Sequence, residues 1–357
     1  MKEIFLFCTA AIFYVTCLSE NPANISVTDL RCDYFDRPMG IDNKNPKLSW
    51  KLTSKEKDQK QIAYRILVSS NISLLNKNKG DIWDTGRIES DRSINVVYQG
   101  KRLDPAKKYY WKVCIWDKHN KQTDWSDFSF WETGLLNSSE WKAKWIGHDG
   151  EKAPLFRKEF KVDRPIKQAR VYICGLGFYE LYINAQKIGD QVLDPGQTDY
   201  EKRTFYTVHD VTEKLRTGKN TIGVMLGNGW YNQQTVDSDR YGWGNVIYGK
   251  PRLLLQMSLT HTDGTETLIL SDDTWKVLPG PVVENNIYAG EHYDARLETT
   301  GWNMPSYDDQ NWEYAKLADS PGGKLIHQNI PPIQRMDTIT PSHITNPAPG
   351  VYIFDMG

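Results

Sequence analysis

The chain has 357 residues, with 44 Lys and Arg against 45 Asp and Glu, for a formal net charge of −1 at pH 7. That length exceeds a single sandwich and implies about two to three domains. The even charge balance lacks the basic footprint of a nucleic-acid binder or a polybasic membrane patch, so neither partner is expected. Aromatics reach 12%, with 13 Trp and 19 Tyr, which suits sandwich cores and sugar-binding surfaces alike.

At the N-terminus Lys2 precedes an apolar run from Ile4 to Leu18, and Glu20 restores charge. A run of about fifteen residues is short for a membrane span and right for a signal-peptide core. Residues 1–19 are therefore expected to be a leader cleaved near Ser19. The mature chain would be exported, periplasmic or extracellular. Cys17 is an alternative point of lipid attachment, with Thr16 standing where a small Gly or Ala is usual. No other stretch is long and apolar enough to span a bilayer, so the chain is not expected to be transmembrane. Beyond the leader lie Cys32, Cys114 and Cys174. An odd number spread over two predicted domains argues for buried free thiols and against a disulfide framework.

Residues 20–135 read as the first domain. Short strands are predicted at 25–31, 47–52, 63–69, 81–84, 93–97, 109–116 and 128–132. Seven strands in about a hundred residues indicate a fibronectin type III-like or immunoglobulin-like β-sandwich. Within Leu103-x-Pro105-x-x-x-Tyr109-x-Trp111-x-Val113, period two places Tyr109, Trp111 and Val113 on one face and Tyr110 and Lys112 on the other. This run resembles the fibronectin pattern around the tyrosine corner.

A polar connector, Leu135 to Glu140, leads into a second domain predicted over 140–318. Strand-like runs at 169–174 and 178–184 precede a Gly- and Pro-punctuated loop, a one-turn helix at 212–215 and a buried strand at 221–226. A hairpin follows, 253–260 and 267–271, turning at Asp263-Gly264. The order is that of a jelly-roll, galactose-binding-like β-sandwich with long loops gathered at one end. The fold class is all-β, as tandem β-sandwiches.

Several ordered motifs mark this second domain: Tyr179-Glu180 before Asn184, Gly189-Asp190, Leu193-x-Pro195-Gly196-x-Thr198-x-Tyr200, Arg203, Tyr206, Asp210-Val211-Thr212 and Gly227-Asn228-Gly229-Trp230-Tyr231. Together they resemble the N-terminal β-sandwich module of bacterial α-L-rhamnosidases, glycoside hydrolase family 78. Ile287-Tyr288-x-Gly290-Glu291-x-Tyr293-Asp294-Ala295-Arg296 extends the likeness. One departure is Asn184-Ala185, where the family usually shows Asn-Gly, so the tight turn loses its favoured glycine.

The resemblance implies accessory domains of an exported enzyme that hydrolyses terminal α-L-rhamnosyl linkages in plant or bacterial glycans with inversion. Its implied partners are a rhamnose-containing oligo- or polysaccharide and a C-terminal catalytic domain of the same protein. In that family a Tyr-Ile-Phe-Asp stretch like Tyr352 to Asp355 leads into a further β-domain and then a helical barrel. Residues 325–357, with strands predicted at 333–339 and 351–356, are accordingly read as the truncated start of a third β-domain. No long amphipathic helix occurs, so the barrel is read as absent and the chain as an N-terminal, non-catalytic fragment. The competing reading is a stand-alone carbohydrate-binding or adhesive two-sandwich protein.

Inverting glycosidases need two carboxyl groups about 6.5–9.5 Å apart. Asp237-Ser238-Asp239-Arg240-Tyr241-Gly242-Trp243 imitates the family's acidic motif, but it lies in a sandwich loop and is read as polar surface, so no catalytic residue is assigned. Trp230, Tyr231, Tyr241, Trp243 and Tyr248 cluster in a Gly-rich segment. Three roles are open to them: a sugar platform, a contact surface for the catalytic domain, or a plug at the end of the core. Asp190, Asp194 and Asp199 around Gly196 offer oxygen ligands for calcium, but match no calcium loop, and solvated loop acids are the commoner case. Seven histidines without metal-ligand spacing make no case for zinc. Gly175-x-Gly177, between strands, is a turn and no phosphate loop. No cofactor and no metal are expected.

Overall fold

Period-two burial organises the strands of this all-β chain. The computed structural model describes residues 24–233 and 248–357. Two compact units result: Met1–Arg37, Asn45–Lys101 and Tyr109–Phe130 in the first, and Pro38–Lys44, Arg102–Lys108 and Trp131–Gly357 in the second.

In the first unit, strands Ser26–Cys32, Lys47–Thr53 and Val96–Val97 form one antiparallel sheet. In another sheet, strand Gln61–Ser69 pairs with Lys108–Asp117 on one side and with Trp83–Asp84 and Ile88–Glu89 on the other. Tyr109, Trp111 and Val113 are fully buried, as their alternation predicts. Lys112, on the opposite face, is also buried. Its ammonium donates to Asn78 Oδ1 at 2.7 Å and lies over the Trp125 ring. A five-residue helix, Ile72–Asn76, is capped by Asn71, whose side chain accepts from Ser73 N at 2.7 Å. Cys32, Cys114 and Cys174 are buried free thiols.

Two larger sheets face each other in the second unit. One runs in the order Lys316–Leu317, Ile146–Gly147, Arg252–His261, Ile166–Leu176, Arg203–Asp210, Lys324–His327, with Glu266–Leu270 also paired to Arg252–His261. The other runs Gln186–Lys187, Tyr179–Ile183, Gly218–Leu226, Pro154–Val162, Lys276–Pro279, Glu313–Tyr314. Phe156, Val171, Ile173, Ile222, Val224, Leu255, Met257 and Trp275 fill the core between them.

The runs at 171–174 and 253–255 are continuously apolar because the first sheet is buried on both faces. Val171, Ile173, Leu253 and Leu255 meet the opposite sheet. Tyr172, Cys174 and Leu254 meet an outer layer with Trp145, Tyr200, Tyr206 and Tyr231. Residues 324–327 join the same sheet in parallel, Phe205 opposite Ile326 and Tyr206 opposite His327. The helical turn near 212 is a 3-10 turn, Thr212–Lys214.

Candidate functional site

The motif Gly227-Asn228-Gly229 shows why its glycines are there. Gly177 has φ +126°, and a Cβ on it would lie 2.0 Å from the Gly227 carbonyl oxygen. Gly229 has φ +50°, and a Cβ there would lie 2.8 Å from Phe178 N. The two chain segments therefore touch backbone to backbone, and Gly227 N donates to Phe178 O at 2.7 Å. Asn228 clamps this crossing to strand Val282–Asn286: its backbone N donates to Asn285 Oδ1 at 2.6 Å and its Nδ2 to Asn285 O at 2.8 Å.

Strands Val282–Asn286 and Gly290–Tyr293 form a hairpin at this crossing. Beside it a cleft of about 620 Å³ opens, bounded by Phe178, Glu180 and Tyr182, by Val192 and Leu193, and by Asn285, Ile287, Glu291 and Tyr293. Glu180 and Tyr182 line it because they alternate with the buried Tyr179, Leu181 and Ile183 along one strand. Burial opposes the Glu180 charge, but Lys187 and Tyr182 outweigh it and hold the carboxyl below its ordinary pKa. Among the described residues no Lys, Arg or His lines the cleft.

Behind this wall runs a buried polar chain. Tyr179 Oη donates to Asp194 Oδ2 at 3.1 Å and contacts Thr207 Oγ1 and, at 3.0 Å, His209 Nε2. Gln328 Nε2 donates to Asp194 Oδ1 at 3.0 Å, and Gln328 Oε1 accepts from Gly196 N at 2.9 Å. Burial pushes the Asp194 carboxyl up, against the pull of Gln328 and Tyr179. Burial likewise lowers the His209 imidazole to about 4. The Leu193-x-Pro195-Gly196 motif thus anchors its loop through Asp194.

The five aromatic candidates divide. Tyr231 is buried in the outer layer, edge-on to Tyr200 at 5.1 Å and stacked on Tyr248 at 5.8 Å. Tyr248 is 39% exposed, and its backbone N donates to Tyr231 O at 3.1 Å. Trp230 is half-buried and meets Tyr288 edge-on. Tyr241 and Trp243, with the whole Asp237 to Trp243 motif, lie outside the described residues.

Nor do Asp190, Asp194 and Asp199 converge. Asp190 accepts from Gln334, Asp194 is buried as above, and Asp199 pairs with Lys202 at 2.7 Å. Among the described residues no group of three His, Cys, Asp or Glu is placed to hold a metal. Sequence reasoning missed Tyr200 as the third ring beside Tyr231, and Tyr182, Leu193, Asn285 and Tyr293 as cleft walls. Only Tyr182 carried a signal, its period-two place beside Glu180.

Comparison with known proteins agrees with this architecture. Residues 164–337 match the family model described as alpha-L-rhamnosidase N-terminal domain, and residues 27–137 match the Rha78A-like N-terminal immunoglobulin domain. An alpha-L-rhamnosidase of Formosa agariphila is 35% identical, across 100% of this chain and 40% of its own length. The structure of the alpha-L-rhamnosidase from Dictyoglumus thermophilum superposes with a TM-score of 0.84 at 45% identity, covering 93% of this chain and 38% of that one. The Streptomyces avermitilis alpha-L-rhamnosidase complexed with L-rhamnose shares the fold, with a TM-score of 0.85 at 24% identity over 93% of this chain and 49% of that one.

Fold and matches together define the class, the N-terminal β-sandwich region of a glycoside hydrolase. The chain belongs to the α-L-rhamnosidase family, glycoside hydrolase family 78, through its N-terminal domains. It spans about 40% of the length of the Formosa relative.

Proposed function

We propose that this chain is the accessory N-terminal part of an exported α-L-rhamnosidase that cleaves terminal α-L-rhamnosyl linkages in plant or bacterial glycans with inversion. The observation that carries the reading is the end-to-end match of this chain to 40% of the Formosa enzyme. The acid and base of an inverting hydrolase are assigned to the length of the relatives that this chain does not span.

Its organisation is proposed as a leader at 1–19, sandwiches at 20–135 and 140–318, and the opening of a further β-domain within 325–357, with Lys324–His327 and Gln328 tied to the second sandwich. Strands His343–Ala348 and Val351–Asp355 support that last assignment. They pair with each other, and every residue in them is exposed, including Tyr352 and Phe354. A lone two-stranded hairpin is marginal, and its apolar edges call for more strands. Among the described residues no helix is long and apolar enough to cross a membrane. Of the loop aromatics, Tyr231 is assigned to closing the core end, where it packs with Tyr200. Trp230, Tyr241, Trp243 and Tyr248 are assigned to contact with carbohydrate or with the catalytic domain.

The test compares hydrolysis of a chromogenic α-L-rhamnoside by residues 20–357 with hydrolysis by the longer product of any reading frame continuing past Gly357. Turnover is expected from the longer protein alone. Turnover by residues 20–357 that disappears in Asp239→Asn would overturn the accessory reading, and a stop codon directly after Gly357 would favour the stand-alone binding protein.

A further inference from the structure

The cleft beside strand Tyr179–Ile183 has a composition that selects its ligand. Among the described residues its walls carry two carboxylates, Glu180 and Glu291, and no cationic side chain. Lys187 outside the cleft pairs with Glu180, so the uncompensated negative charge is that of Glu291, and in a half-enclosed site it repels an anion. Asn285 and Glu291 are directly opposed partners in the antiparallel hairpin, so their side chains stand side by side on one face. Among the described residues, Asn285 Nδ2 donates no hydrogen bond, and the Glu291 carboxylate has neither a hydrogen bond nor an ion pair. A donor and an acceptor in adjacent register suit neighbouring hydroxyl groups.

Leu193 supplies the second observation. Its φ is +55°, a left-handed conformation that costs a branched side chain about 1–2 kcal/mol. The surroundings hold it there: Val192 N donates to Ile333 O at 2.9 Å, and Tyr179 N to Asp194 O at 3.1 Å. The strain presents a leucine that is 52% exposed on the cleft wall. Tyr293, 49% exposed, lines the same cleft. An apolar wall with a few convergent polar groups is the usual make-up of a small-molecule site, and strain retained in such a wall points to use.

We propose that this cleft is a binding subsite for a neutral 6-deoxy pyranoside unit, with its C–H face and methyl group against Leu193 and Tyr293 and its hydroxyls on Asn285 and Glu291. The neutrality follows from the cleft; the 6-deoxy character rests on the rhamnosidase reading above.

Titration calorimetry of the chain with methyl α-L-rhamnopyranoside and with the anionic methyl α-D-galactopyranosiduronate tests this. The rhamnoside is expected to bind with a Kd of about 1 mM, the range of weak single-site ligands, and the uronate at least about tenfold more weakly, by like-charge repulsion. Tyr293→Ala and Leu193→Gly should each weaken rhamnoside binding about tenfold, the loss of one apolar contact of roughly 1.4 kcal/mol. Leu193→Gly also relieves the left-handed strain and should not lower the melting temperature, so its loss of binding is not a loss of fold. Absence of saturable binding, equal binding of the uronate, or an unchanged Kd in both variants overturns the proposal. Turnover of a rhamnoside by the longer protein is a separate readout: turnover without binding here sinks this inference alone, and binding without turnover sinks the hydrolase reading alone.

Discussion

Tyr179 and Asp194, fifteen positions apart in sequence, share a hydrogen bond of 3.1 Å in the interior of the second sandwich, with Tyr179 8% and Asp194 4% exposed. The same phenol hydroxyl contacts Thr207 and His209. Tyr179→Phe keeps the ring and removes the hydroxyl, leaving three buried polar groups short of a partner. A loss of about 1–3 kcal/mol is expected, read as a lower midpoint in urea denaturation. An unchanged midpoint would show that the chain of bonds is not formed.

A buried imidazole, His209, and a half-buried one, His327, make stability depend on pH. Burial lowers His209 and His327 to about 4 from the ordinary 6.5; Asp190 near His209 and the Met39 backbone near His327 pull the other way. Below pH 6.5 the unfolded chain takes up protons that the folded state refuses. Stability is therefore full above that value and falls as pH drops from 6.5 toward 4, by about 1.4 kcal/mol per pH unit for each ring. Asp194 has the opposite sign: its raised pKa keeps a proton in the folded state that the unfolded chain has lost, so acid partly offsets the loss at the low end. Melting temperatures should decline between pH 6.5 and 4.5, and His209→Gln should remove part of that slope. A flat profile would contradict the burial of these rings.

The turn at Asn184-Ala185 offers a gain. These two residues join strand Tyr179–Ile183 to Gln186–Lys187 with φ of +50° and +65°, both left-handed. Alanine tolerates that conformation poorly, and glycine adopts it freely. Ala185→Gly should stabilise the domain by about 0.5–1 kcal/mol, the left-handed penalty less the entropy glycine adds to the unfolded chain. The check is a rise in melting temperature, and Ala185→Val should lower it.

Arg157 is 2% exposed in strand Pro154–Val162 and ties down the segment that follows the hairpin. It donates to Trp302 O at 2.9 Å and to Met304 O at 3.0 Å, pairs with Asp309, and lies over the Tyr307 ring. Arg157→Ala should cost about 3 kcal/mol by stranding two carbonyls and a carboxylate. Hydrogen exchange should show residues 301–309 losing protection before the sheets do, whereas uniform loss would mean that Arg157 serves the core and not this segment.

The predicted hairpin at 253–260 and 267–271 exists as Arg252–His261 and Glu266–Leu270, turning at Gly264 with φ +83°. It was legible because alternation and Asp-Gly are local signals. The rhamnosidase likeness was equally legible in ordered motifs, and the family matches agree with it. The cleft was not legible: its walls come from residues near 180, 192, 227 and 290, which only the backbone crossing at Gly177 and Gly227 brings together. Nor did the acid at 194 announce its burial, since the same letter at 190 and 199 meets a glutamine or a surface lysine.

Residue order alone determined the all-β class, the tandem sandwiches and the family, since alternation and turn residues act over a few positions and motifs need no contact. Tertiary structure decided the partners of long-range polar groups. Gln328 reaches Asp194 across 134 residues, and strand Lys324–His327 adds to Arg203–Asp210 in parallel. Such pairings have no local signature: a buried donor must find an acceptor, and which one it finds depends on how the whole chain closes around it.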